Sequence, residues 1–118
     1  MDNKENDKDY KIQTLELISI LQKIDSEIYK GKEASKLWGT PEGNPVAITH
    51  LSRAEYFTKL YKWPSELKEN INKLLEWLEK YRQTLQTYDV TYSSMYKTRL
   101  EKAFSDLENL VFGRILES

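Results

Sequence analysis

Side chains that commonly carry enzymatic chemistry are scarce in this sequence of 118 residues. His50 is the only histidine and there is no cysteine, which excludes thiolate catalysis, disulfides and sulfur-based zinc sites. No serine lies in a nucleophile-elbow pattern, and Gly39 and Gly43 are not followed by the Lys and Ser/Thr of a phosphate-binding loop. We therefore expect no catalytic residue, no metal site and no cofactor, and we interpret the chain as a non-enzymatic protein.

Acidic side chains recur between residues 66 and 79, where they could in principle form a carboxylate site. Glu69 and Glu76, however, stand four residues before Lys73 and Lys80, which is the favourable order for ion pairs on a helix surface. The sequence therefore favours a solvated helix face over a metal or acid–base site. His50 lies just before a predicted helix, where a lone histidine is usually hydrogen-bonded or exposed, so we expect a structural role for it.

Positive charges and aromatic rings are interleaved between residues 81 and 99. Residues 53–102 hold ten Lys/Arg and seven Asp/Glu, although the whole chain has a formal net charge of −1. Such a pattern can bind single-stranded nucleic acid, because rings stack on bases and cations meet phosphates. The simpler interpretation is that the tyrosines belong to a buried helix face and that the cations are solvated. The candidate nucleic-acid contacts are Arg82, Tyr92, Lys97 and Arg99.

Four aromatic residues near predicted breaks between helices are candidates for contact with a protein partner. Trp38 borders a loop that contains proline and glycine, and Trp63 precedes Pro64. The alternative is a small satellite core, in which the two tryptophans pack on each other or on Val46 and Ile48. Trp, Tyr and Arg dominate the binding energy of protein interfaces. The candidate partner contacts are Trp38, Trp63, Tyr88 and Tyr92.

The positions of these residues depend on a long segment from Pro64 to Tyr88, whose apolar residues recur at alternating steps of four and three. Only an α-helix places such positions on one face, and a face this wide must be covered in water. Residues 91–116 have similar spacing, so the short connection predicts an antiparallel pair of helices. The two sets are Leu67, Ile71, Leu74, Leu78, Tyr81, Leu85 and Tyr88, and Tyr96, Leu100, Ala103, Phe104, Leu107, Leu110, Val111 and Ile115.

Local signals predict where the other helices begin and end. The first helix has Asp9 as its N-cap and Gly31 as its stop. Ser52 and Glu55 match a capping box at the start of the second helix, with Leu51 and Tyr56 as a hydrophobic staple.

Two connections complete the prediction. Pro64 either separates the second and third helices or kinks a single one. Asp89 or Thr91 caps the fourth helix.

The predicted fold is therefore all-α. It is an antiparallel helical bundle of three long helices (about 9–30, 64–88 and 91–116) plus one short helix (about 52–62), with a Pro/Gly loop at 39–49. We expect residues 1–8 to form a polar tail and residues 9–118 a single domain.

The expected function is protein interaction, as a small adaptor, inhibitor or complex subunit that can also self-associate through its helices. Nucleic-acid binding by the turn between the two C-terminal helices is the alternative. No apolar stretch is long enough to cross a bilayer, and the charged start lacks the apolar stretch of a signal peptide. We therefore expect a cytoplasmic protein without membrane contact.

Overall fold

The computed structural model describes residues 3–117, together with the side chains of residues 9–115. These residues form four helices and no strand: α1 (Asn3–Ser35), α2 (Asn44–Leu60), α3 (Lys68–Gln86) and α4 (Val90–Glu117). Each helix packs against the next one in the chain, and α4 also packs against α1. The result is an all-α bundle with extents of 58 × 21 × 21 Å. Within this part of the chain, no helix combines the length and the apolar character that a membrane span requires.

The core follows the apolar faces that the spacing predicts. Every predicted position from Leu67 to Leu85 is buried, and so are Leu100, Phe104, Leu107 and Val111 of α4. Burial of one leucine or isoleucine side chain contributes about 1.5–3 kcal/mol, so this shared core is the main source of stability. Tyr96 and Ala103 are partly exposed, and Tyr88, Leu110 and Ile115, towards the ends of the predicted faces, are exposed. The residues that α1 adds to the core are Leu17, Leu21, Ile24 and Ile28.

The predicted boundaries of α1 are wrong at both ends. The helix begins at Asn3, so Asp9 lies inside it and is not its cap. Gly31 does not end the helix either; it is buried, and a Cβ added to it would lie 3.0 Å from Cγ of Leu51. Glycine in a helix costs about 1 kcal/mol relative to alanine, but here it permits close packing against a fully buried leucine of α2. Tertiary packing therefore outweighs the local stop signal.

The capping-box prediction for α2 is also wrong. The helix begins at Asn44, so most of the predicted 39–49 loop is helical and Ser52 is an exposed residue in mid-helix. Pro45 lies in the first turn, where its missing N–H is not needed. Glu55 is directed to Arg82 of α3, where it forms an ion pair.

The connection between α1 and α2 is tight, because Gly43 approaches the carbonyl of Leu37. A Cβ on Gly43 would lie 1.9 Å from that oxygen, so no other residue fits without a backbone shift. Gly39 has a φ of 82°, a conformation that glycine adopts without strain. These two glycines allow the short turn.

The second and third helices are separate. The chain leaves helical geometry at Tyr61, passes Pro64 in extended conformation, and re-enters through the 3-10 turn Ser65–Leu67. Residues 87–89 alone join α3 to α4, so the two helices run antiparallel as predicted. Asp89 caps α4, because its Oδ1 accepts from the N–H groups of Thr91 (3.1 Å) and Tyr92 (3.4 Å).

Candidate interaction surfaces

Two of the four predicted partner contacts meet at one end of the bundle. The rings of Trp38 and Tyr88 have centroids 5.9 Å apart and planes at 83°, which is an edge-to-face contact. The contact joins the α1–α2 connection to the α3–α4 corner, across a separation of 50 positions in the chain. Such pairs contribute about 0.5–1.5 kcal/mol beyond their buried area.

The α3–α4 corner places Tyr88 in an unusual backbone conformation. Its φ is 56°, and it is the one non-glycine residue with positive φ among those the structure describes. The N–H of Asp89 donates to the carbonyl of Thr84 at 2.8 Å, so Tyr88 occupies the position after a helix at which glycine is usual. A side chain there costs roughly 1–2 kcal/mol relative to a right-handed backbone. The corner therefore carries a tyrosine where local geometry alone would favour glycine.

A buried amide holds the other half of this contact in place. Asn44 accepts a hydrogen bond from the N–H of Gly39 (3.0 Å) and donates one to the carbonyl of Leu85 (2.9 Å). Asn44 is 1% exposed; its bond to Leu85 is buried and its bond from Gly39 is partly buried. Asn44 thus ties the loop that carries Trp38 to the end of the helix that precedes Tyr88.

We define the end patch as Leu37, Trp38, Tyr88 and Val90. Leu37, Tyr88 and Val90 are 52%, 56% and 69% exposed, and Trp38 is half-buried against the core. Trp38 and Tyr88 are in contact, Leu37 and Val90 are close to them along the chain, and Asn44 bonds to both segments. Isolated exposed apolar residues need no explanation, but neighbouring ones of this size often mark an interaction site.

The other two predicted partner contacts lie elsewhere. Trp63 is only 7% exposed; its Nε1–H donates to the carbonyl of Thr58 at 2.8 Å, and its ring packs on Tyr61. It belongs to the core and presents little surface. Because α2 separates it from Trp38 by roughly 25 Å, the two tryptophans do not pack on each other; Trp63 lies in the main core and Trp38 packs against it. Tyr92 is half-exposed on α4, in a different group of rings.

The predicted nucleic-acid residues do not form one surface. Arg82 faces α2, where it forms an ion pair with Glu55 and a 3.2 Å hydrogen bond to Gln86. The hydrogen bond with Glu55 raises the pKa of Arg82, so its guanidinium is already paired with a carboxylate of the protein. Lys97 and Arg99 are two residues apart on α4 and therefore lie on different sides of that helix. Of the predicted set, only Tyr92 and Arg99 share a face.

That shared face contains a row of rings, which we call the aromatic row: Trp77, Tyr96 and Tyr92. Ring centroids are 5.8 Å apart between Trp77 and Tyr96 and 6.0 Å apart between Tyr96 and Tyr92. Two cations lie against it, with Nζ of Lys80 at 4.9 Å and Cζ of Arg99 at 5.0 Å from the Trp77 centroid. Both contacts are of cation–π type.

Sequence reasoning did not assign Trp77 and Lys80 to this site, although their three-residue spacing places them side by side on a helix. Trp77 is partly buried against the core. What the sequence lacks is the register between α3 and α4, which brings Tyr96 and Arg99 to the same ring.

The isolated histidine has a hydrogen-bonded, partly buried position. Nδ1 of His50 lies 2.8 Å from Oε2 of Glu27, and Nη2 of Arg53 lies 3.4 Å from Oε1 of the same carboxylate. Glu27 is nearly buried, so these contacts give its carboxylate oxygens partners and connect α1 to α2. His50 lies within α2 and not at the predicted junction, but its hydrogen-bonded role is as expected.

The acidic residues of α3 form the ion pairs that their spacing predicts. Lys73 is 3.6 Å from Glu69, and Lys80 is 3.2 Å from Glu76. Among the side chains of residues 9–115, no three His, Asp or Glu residues are grouped so that they could hold a metal ion.

Comparisons of the chain with protein-family models, with curated proteins and with solved structures give no match. The end patch and the aromatic row must therefore be interpreted from their own chemistry.

Proposed function

We propose that this protein is a non-enzymatic interaction module, an adaptor, inhibitor or complex subunit, that binds a protein partner through the end patch. The observation that carries the proposal is the contact between Trp38 and Tyr88, both partly open to solvent and both held by surrounding structure. Tryptophan and tyrosine are the residues most enriched among those that dominate interface energies.

The backbone conformation of Tyr88 supports this proposal. Glycine would be the least strained residue at a φ of 56°, and a tyrosine that is 56% exposed gains only part of the energy of burial. Strained residues are concentrated at functional sites. A role for the ring in binding gives a reason for a bulky side chain at this position.

The end patch can supply the apolar centre of an interface. A stable interface buries about 800 Å² on each partner, with an apolar centre and a polar rim. Four clustered residues account for only part of that area, so polar residues around the patch would form the rim. The partner is expected to present an apolar group that covers Tyr88 and Val90.

The proposal is tested by affinity purification from native host cells with three forms of the protein. The wild type is compared with the variant Leu37→Ser/Val90→Ser, which makes the patch polar without altering Trp38, Tyr88 or Asn44. The matched control is Leu60→Ser, since Leu60 is 67% exposed at the far end of α2. Circular dichroism of each variant verifies that the helices are retained.

The expected result is a protein that co-purifies with the wild type and with Leu60→Ser but is depleted at least tenfold with the patch variant. If all co-purifying proteins bind the patch variant as well as the wild type, the end patch is not the docking surface. Sedimentation equilibrium of the same variants tests self-association: a dimer that the patch substitutions dissociate would identify the partner as a second copy. The predicted cytoplasmic location is part of the proposal and is tested by fractionation of the host cells.

A further inference from the structure

A second surface, on the opposite side of α3 from Arg82, combines rings and cations. We call it the α3–α4 face; it comprises the aromatic row and the cations Lys73, Lys80, Arg99 and Lys102. A depression of about 250 Å³ lies between the two helices, and its lining includes Trp77, Arg99 and Lys102. Tyr92, at the end of the row, is 50% exposed.

We propose that the α3–α4 face binds single-stranded nucleic acid. Bases would stack on Tyr92, the exposed tyrosine at the end of the row, while Arg99 and the lysines contact the adjacent phosphates. Base–aromatic stacking tolerates any sequence, because every base has a π-face. The bases of a duplex are already stacked on one another and are not available to these rings.

The net charge of the α3–α4 face is small, which limits the electrostatic part of the affinity. Three of its cations have an acidic partner four residues away on the same helix: Lys73 with Glu69, Lys80 with Glu76, and Lys102 with Asp106. Four cations and three carboxylates leave a net charge of only +1. Exposed pairs of this type contribute little to stability, so phosphates can displace the carboxylates, but few counterions will be released on binding.

Stacking must therefore supply most of the affinity. For single strands the slope of log K against log salt concentration is about −0.7 for each phosphate neutralised. With one or two such contacts, the expected slope is about −0.7 to −1.4. A nonspecific polyanion binder would show a steeper slope and no dependence on the rings.

Fluorescence anisotropy at low salt tests the proposal with four labelled probes: single-stranded dT and dA 20-mers, a 20-base-pair duplex, and an abasic 20-mer with the same phosphates. The test variant is Tyr92→Ala/Arg99→Ala, which changes two exposed residues and leaves the half-buried Trp77 in place. The matched control is Tyr56→Ala/Lys59→Ala, which removes one tyrosine and one cation from exposed positions on α2.

The expected result is binding of the single strands, with the duplex and the abasic strand at least about fivefold weaker. The test variant should lose at least about fivefold in affinity for dT, whereas the control variant should match the wild type. Absence of single-strand binding would overturn the proposal. So would equal affinity for the abasic probe, a preference for duplex, or an equal loss in the control variant. None of these outcomes bears on the end patch, which neither variant changes.

Discussion

Arg82 and Glu55 form a two-point ion pair that joins α3 to α2. Nη2 of Arg82 lies 3.3 Å from Oε1 of Glu55, and Nε donates to Oε2. Glu55 is 7% exposed, so its charge depends on this one guanidinium for compensation. The pair gives Arg82 a role in the fold.

Replacing Arg82 with methionine should therefore destabilise the protein. Arg82→Met keeps an apolar stem but leaves the Glu55 carboxylate buried and unpaired, which should lower the free energy of unfolding by about 1–3 kcal/mol. Urea denaturation measures the effect. The control is Lys73→Met, which breaks an exposed pair and should change the free energy by less than about 0.5 kcal/mol. Equal effects of the two substitutions would show that the Arg82–Glu55 pair contributes no more to stability than an exposed ion pair.

The pattern of burial in α3 could be predicted because it depends only on the spacing of nearby residues. Each residue from Leu67 to Leu85 in the heptad-like series is separated from the next by three or four positions, and helical geometry alone places them on one face. The Asp89 cap is equally local, since its carboxylate bonds N–H groups only two and three residues ahead. Such features need no knowledge of the remaining chain.

The features that were wrongly predicted or missed depend on competing local signals or on residues far apart in the chain. Ser52 and Glu55 have the spacing of a capping box, but Asn44 and Pro45 start the helix earlier, and the same spacing then lies in mid-helix. The contact of Trp38 with Tyr88 requires two turns to meet, and the pairing of helices determines whether they do. The register between α3 and α4 likewise decides which cations reach Trp77. None of these relationships has a local signal in the sequence.

The positive φ of Tyr88 predicts an order of stability among substitutions. Tyr88→Gly and Tyr88→Val both remove the ring contact with Trp38, but only the valine retains the strain of a left-handed backbone. The glycine variant should therefore be more stable than the valine variant by about 1–2 kcal/mol. Denaturant titration of the two variants gives the difference directly. A valine variant as stable as the glycine variant would show that the corner relaxes out of this conformation.

Because α2 begins at Asn44 and not at Ser52, alanine substitutions at these two positions should have opposite effects on stability. Asn44→Ala leaves the buried carbonyl of Leu85 without its partner, at about 1–3 kcal/mol, whereas the N–H of the exposed Gly39 can bond to water instead. Ser52→Ala should instead be neutral or stabilising by up to about 0.5 kcal/mol, because alanine is the better helix former at an exposed position. Thermal unfolding monitored by circular dichroism distinguishes the two. A loss of about 1 kcal/mol in Ser52→Ala would restore the capping role that the sequence suggested.

The raised pKa of Glu108 predicts that the stability of the protein depends on pH. Burial, together with the negative charge of Asp25 on α1, raises the pKa of Glu108 above its ordinary value. A carboxyl group whose pKa is higher in the folded state favours folding when protonated. Its ionisation therefore lowers the free energy of unfolding as the pH rises above the unfolded pKa of about 4.3.

Glu108→Gln should remove this penalty. At pH 7 the variant should be more stable than the wild type by a few tenths of a kcal/mol, on the order expected for a partly exposed charge. The gain should disappear below about pH 4, where both side chains are neutral. Glu101→Gln is the matched control on α4, because Glu101 lies 3.6 Å from Lys32 and gains nothing from neutralisation. Urea titrations at pH 3.5 and pH 7 measure all four differences. A gain of equal size at both pH values would mean that the amide acts through packing and not through the removed charge.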